Sequence, residues 1–114
     1  MESTKILSHI ILIYFGAALF EIIGCFCFWG IFRLNKAFWW AIPGTVSLIL
    51  FAFLLTKVDM IYSGRIYAAY GGIYILSSIL WLWIVEQQKP DFWDTTGATL
   101  CMLGALVILL STHD

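Results

Sequence analysis

Glu21 is the side chain of this 114-residue protein best placed to do chemistry, because it is the one charge in an apolar run from Ile6 to Phe32. That run exceeds the roughly 20 residues a helix needs to cross about 30 Å of hydrocarbon. At about 1.5 Å of rise per residue, Glu21 lies about 18 Å beyond Ser8 and His9 and a similar distance short of Arg33. This spacing predicts a carboxyl group near the bilayer midplane. Inserting an acid there costs about 3 kcal/mol, so an intramembrane carboxylate is by default a proton, cation or substrate site. On a helix its neighbours are the residues three, four and seven positions away, namely Tyr14, Ala17, Ala18, Gly24, Cys25 and Phe28. Small side chains flank the acid and aromatic rings stand a turn further out, which predicts a pocket lined by Tyr14, Ala17, Ala18, Gly24 and Cys25. The competing reading makes Glu21 a protonated residue that hydrogen-bonds between helices.

A second stretch, residues 63–86 (SGRIYAAYGGIYILSSILWLWIVE), repeats polar-tipped aromatic residues every three or four positions: Tyr67, Tyr70, Tyr74, Ser77 and Trp81. Such a stripe can hold a lipophilic cation through ring quadrupoles, at about 0.5 to 2 kcal/mol per contact. Taken alone it could equally be an interhelical hydrogen-bonding face with an interfacial aromatic anchor. Opposite a buried acid, the ligand reading is favoured. The three cysteines Cys25, Cys27 and Cys101 fall inside apolar runs, and their odd number offers no disulfide framework. His9 and His113 stand near the chain ends, so the sequence assembles no metal centre and calls for no cofactor.

These residues must be positioned by membrane helices. The chain is 62% hydrophobic and 11% charged, with a mean hydropathy of +0.96, far from the usage of soluble domains. A net charge of -1 removes the case for nucleic acid as a partner. Lys5 ahead of an apolar segment resembles a signal peptide, but the segment continues too far, and a retained helix is expected. Polar breaks divide the chain into four spans, about residues 6–32, 38–56, 62–85 and 93–111, forming one all-α transmembrane domain over 1–114. Short loops predict that consecutive helices are antiparallel neighbours. Pro43-Gly44 predicts a local bend in the second span, whose residues Leu48 to Leu55 suit either lipid or a cavity wall. Asp91 and Asp94 are expected to cap the fourth span. That span carries Gly97 and Gly104 on one face beside Ala98 and Ala105, a surface for close helix packing.

Charge counting bears on assembly, since an excess of Lys and Arg normally marks the cytoplasmic side. Lys5, Lys57 and Arg65 lie at one membrane face and Arg33, Lys36 and Lys89 at the other, so neither orientation is favoured. Trp29, Trp39, Trp40, Trp81, Trp83 and Trp93 all lie towards the first and third loops, giving one copy a belt on one side. Four helices also lack the inverted repeat through which carriers alternate access. The expectation is an antiparallel homodimer packed partly through Gly97 and Gly104, with both Glu21 residues near its centre.

FEIIGC at Phe20 to Cys25, SGRIYAAYGGIY at Ser63 to Tyr74, and the Asp94, Gly97, Ala98 pattern closely resemble the YnfA family of small bacterial inner-membrane proteins, over nearly the whole chain. That family is similar to the small multidrug resistance (SMR) transporters. The resemblance implies an SMR-like four-helix homodimer that exchanges protons for hydrophobic or quaternary cations. It equates Glu21 with the SMR glutamate that binds proton and substrate alternately, Tyr67 with the substrate-site tyrosine, and Gly97 and Gly104 with the dimerisation glycines. It also places Gly71 and Gly72 at a kink of the third helix. Tyr70 stands where SMR transporters usually have tryptophan, and Arg65 is an addition. Arg65 either snorkels to the interface or lines the pathway. The expected function is proton-coupled efflux of small lipophilic or quaternary cations, with no enzymatic activity. The alternatives are a carrier for an anionic lipid or metabolite, with Arg65 on the head group, and a non-transporting membrane subunit.

Overall fold

The computed structural model describes residues 2–58 and 62–110. Asp59, Ser111 and His113 lie outside the described residues. Four helices, α1 (Glu2–Arg33), α2 (Ala41–Leu55), α3 (Ser63–Ile84) and α4 (Phe92–Leu110), account for nearly all of the described chain, and a single 3-10 turn, Phe38–Trp40, leads into α2. There is no strand among the described residues. All four helical segments are long and apolar enough to cross a membrane, as expected where hydrocarbon obliges each segment to satisfy its own backbone hydrogen bonds. The protein is a multi-pass membrane protein.

The helix ends follow from local chemistry. Asn35 takes a left-handed backbone, φ 56°, after which the Lys36 amide turns back to the Gly30 carbonyl at 3.1 Å and closes α1. Gln87, φ 58°, does the same for α3, with the Gln88 amide donating to Leu82 at 3.0 Å. Satisfying the last carbonyls of a helix through a left-handed residue is a common stop. Pro43 falls in the first turn of α2, where a missing N–H costs little. At α4, Asp91 and Asp94 act as a reciprocal pair: the Asp94 amide donates to Asp91 Oδ1 at 2.8 Å, and the Asp91 amide to Asp94 Oδ2 at 3.1 Å. This capping box satisfies two free donors and uses both acids structurally.

α1 is the central element. It packs against α2 on one side and α3 on the other, and α4 packs on the far side of α3. Where α1 crosses α2, a β-carbon on Gly24 would lie 2.9 Å from the Gly44 carbonyl oxygen and 2.6 Å from Leu48. Where α3 meets α4, one on Gly72 would lie 2.6 Å from both Ala105 Cβ and the Cys101 carbonyl oxygen. Association in lipid depends on such close backbone approach, because burying apolar surface from lipid supplies no hydrophobic drive. Ser47 adds a polar tie, donating to the Phe20 carbonyl at 2.6 Å.

One sequence expectation needs correction here. α1 and α2 are antiparallel neighbours, as are α3 and α4, but α2 and α3 are consecutive and make little contact. α1 lies between them, in contact with both. The gap left between α2 and α3 above α1 is where the cavity forms.

Candidate functional site

Helix rotation decides which residues enter that gap. α1 contributes Glu21 to its floor, α2 contributes Phe51, Ala52 and Leu55, and α3 contributes Ser63, Ile66, Tyr67 and Tyr70. Together with Thr56 they line an open cavity of about 510 Å³, within the range of small-molecule sites. Because α2 ends and α3 begins on the side of Thr56 and Ser63, the cavity runs from that face to mid-membrane and stops at Glu21.

The closing element is one hydrogen bond: the Tyr70 hydroxyl donates to Glu21 Oε1 at 2.7 Å. Tyr70 is 7% exposed and is held by three rings, with centroids 5.5 Å from Tyr14, 5.6 Å from Phe51 and 6.0 Å from Tyr74. A phenol can donate to a carboxylate and accept from a carboxylic acid, so Tyr70 can partner Glu21 in either protonation state. Among the described residues no cation pairs with Glu21. Its charge in the ionised state is open to a proton or a ligand cation.

Beyond Tyr70 the α1–α3 seam continues to the other membrane face. Cys25, Tyr74, Ser78, Trp81, Phe26, Trp29, Ile22 and Glu86 line a second cavity of about 220 Å³ there. The Glu21–Tyr70 pair therefore stands between two hollows that open to opposite ends of the seam. Two further grooves, of about 340 and 330 Å³, hold no ionisable side chain.

The residues named from sequence do not all come together. Glu21, Tyr67 and Tyr70 share the larger cavity. Tyr74, Trp81 and Cys25 line the smaller one. Tyr14, Ala17 and Ala18 are fully buried in the core and line neither; Tyr14 donates its hydroxyl to the Ile66 carbonyl at 2.8 Å and so fixes α1 against α3. Gly24 is a contact between α1 and α2. Arg65 stands outside the cavity lining, its guanidinium 5.8 Å from the Tyr62 ring. Gly97 and Gly104 are open to the outside, with nothing within 4 Å of an added β-carbon. Ser77 turns its hydroxyl to its own helix, onto the Ile73 carbonyl at 2.8 Å.

Sequence reasoning left the α2 segment Leu48 to Leu55 open between lipid and a cavity wall, and it missed the second hollow. Phe51, Ala52 and Leu55 belong to a segment whose composition is apolar all round, so its pattern carries no facing information. Phe26 and Trp29 lie five and eight residues after Glu21, off the face that helical spacing assigns to it. The signal that could have found them is that Trp29 and Trp81 sit near the same ends of α1 and α3, the first and third crossings, which run in the same direction. Among the described residues no cluster of His, Cys, Asp and Glu is suited to a metal ion.

Residues 6–114 match the family model described as uncharacterised BCR, YnfA/UPF0060 family. A UPF0060 membrane protein of Methylocella silvestris is 57% identical over 100 residues, covering 88% of this chain and 93% of the relative. No solved structure matches the chain. The fold, the four membrane-crossing segments and the match over nearly its whole length agree, and the chain belongs to the YnfA/UPF0060 family of membrane proteins.

Proposed function

We propose that this protein is a proton-coupled exporter of small lipophilic or quaternary cations, acting as an antiparallel homodimer in the bacterial inner membrane. The observation that carries this reading is the Tyr70–Glu21 hydrogen bond at the blind end of an aromatic cavity halfway across the membrane. Glu21 exchanges its proton for the substrate cation. Tyr70 holds the carboxyl group in place in both states, and Tyr67 and Phe51 supply ring faces to the bound cation. One site that takes either a proton or a cation couples the two fluxes, provided that only loaded dimers switch the side to which they open. Rings without fixed donors favour broad selectivity. The inverted second copy supplies the symmetry that alternating access uses. That Arg65 lies outside the cavity lining favours a cation over an anionic head group as substrate.

The test is proton release from purified protein in weakly buffered detergent solution on addition of tetraphenylphosphonium. Wild type is expected to release protons, and Glu21→Gln to release none while its helical content is unchanged. Equal release from both proteins refutes the assignment. Proteoliposomes with an imposed pH gradient then report whether the same exchange drives uptake.

A further inference from the structure

The smaller hollow has a chemistry of its own. Its wall is an aromatic corner in which the Phe26 ring lies 5.7 Å from Trp29, stacked, and 5.3 Å from Trp81, edge to face. Two helices that cross in the same direction build it side by side, Phe26 and Trp29 from α1 and Trp81 from α3. Glu86 stands at its rim, and the backbone places it there, because the Glu86 amide donates to the Trp81 carbonyl at 3.2 Å as α3 unwinds. Among the described residues no ion pair or hydrogen bond engages the Glu86 carboxylate. Ser78, further in, has already spent its donor on the Tyr74 carbonyl at 2.8 Å. The hollow thus offers aromatic rings and one negative charge, with no cationic side chain among the described residues of its lining.

Indole and phenyl rings clustered beside an unpaired carboxylate can bind quaternary ammonium ions, through the ring quadrupole and without any hydrogen bond from the ligand. A volume of about 220 Å³ suits a small ion of this class. We infer that Phe26, Trp29, Trp81 and Glu86 form a second cation site, for small quaternary ammonium ions, at the end of the seam opposite the mouth of the Glu21 cavity. This site does not rest on the transport reading, since it uses neither Glu21 nor a proton.

That independence sets the experiment. Full-length Glu21→Gln protein, with its tryptophans labelled at the indole nitrogen, is titrated in detergent micelles with tetraethylammonium chloride, against sodium chloride as control. Saturable shifts are expected at the Trp29 and Trp81 indole resonances. Adding Glu86→Gln should weaken the fitted affinity about tenfold and Trp29→Leu about fivefold, whereas Trp29→Phe, which keeps a ring, should stay within about twofold. Unmoved Trp29 and Trp81 resonances, or an affinity indifferent to Glu86→Gln, overturn the site. Loss of proton release at Glu21 in the separate assay leaves this result untouched, so the two proposals fail separately.

Discussion

The inner seams of the protomer and the outer face of α4 are built from the same residue types and are in opposite states. On the inner seams, Gly24 meets Gly44 and Gly72 meets Cys101 and Ala105, each approach too close for a β-carbon. On the outer face, Gly97 and Gly104 meet nothing, and Leu100, Leu103 and Val107 around them are exposed. The inner glycines are consumed in making one chain fold. The outer ones touch nothing in that chain, and the proposed homodimer is what would give them a contact.

The sharpest way to break this comparison is to add one methyl group to each set. Gly72→Ala should destabilise the protomer by about 2 to 3 kcal/mol, since the nearest obstacles include backbone that cannot swing away. Gly97→Ala should change protomer stability by less than about 0.5 kcal/mol. Thermal or denaturant melts in detergent read both, and equal losses would place the two glycines in one class.

Tyr70→Phe tests the inner region chemically. It removes the only donor that Glu21 has among the described residues, a hydrogen bond to a charged group worth about 1.5 to 3 kcal/mol. Cation exchange should fall about tenfold or more, with the helices intact. Tyr67→Ala, at a residue 57% exposed on the cavity rim, should weaken substrate affinity less, by about the tenfold that one ring contact supplies at most. Titration with tetraphenylphosphonium separates the two, and the reverse order would move the site towards the rim.

The smallest effect on the isolated protomer and the largest on assembly should come from bulk on the outer face. Gly97→Leu with Gly104→Leu is expected to leave the melt of the protomer nearly unchanged while chemical cross-linking between copies disappears. Retained cross-linking would assign the α4 face to lipid and leave the dimer to be made elsewhere.

The sequence determined the four crossings, the depth of Glu21 and the caps of α4, because these depend on length, local composition and the demand that hydrocarbon places on every backbone group. The observed helices differ from the spans read from composition mainly at their ends, as with α1, which starts at Glu2. Tertiary structure decided which way each helix faces. Tyr14, Ala17 and Ala18 share a helical face with Glu21, yet they pack into the core while Glu21 reaches the cavity. Tyr67, Tyr70, Tyr74 and Trp81 form one stripe in sequence, yet the Glu21–Tyr70 bond divides them between two hollows. The physical reason is that the core and the lipid are both apolar, so composition around a membrane helix barely distinguishes its inner side from its outer side. Rotation is fixed instead by close contacts such as Gly24 on Gly44 and Tyr14 on Ile66, which exist only once the helices have met.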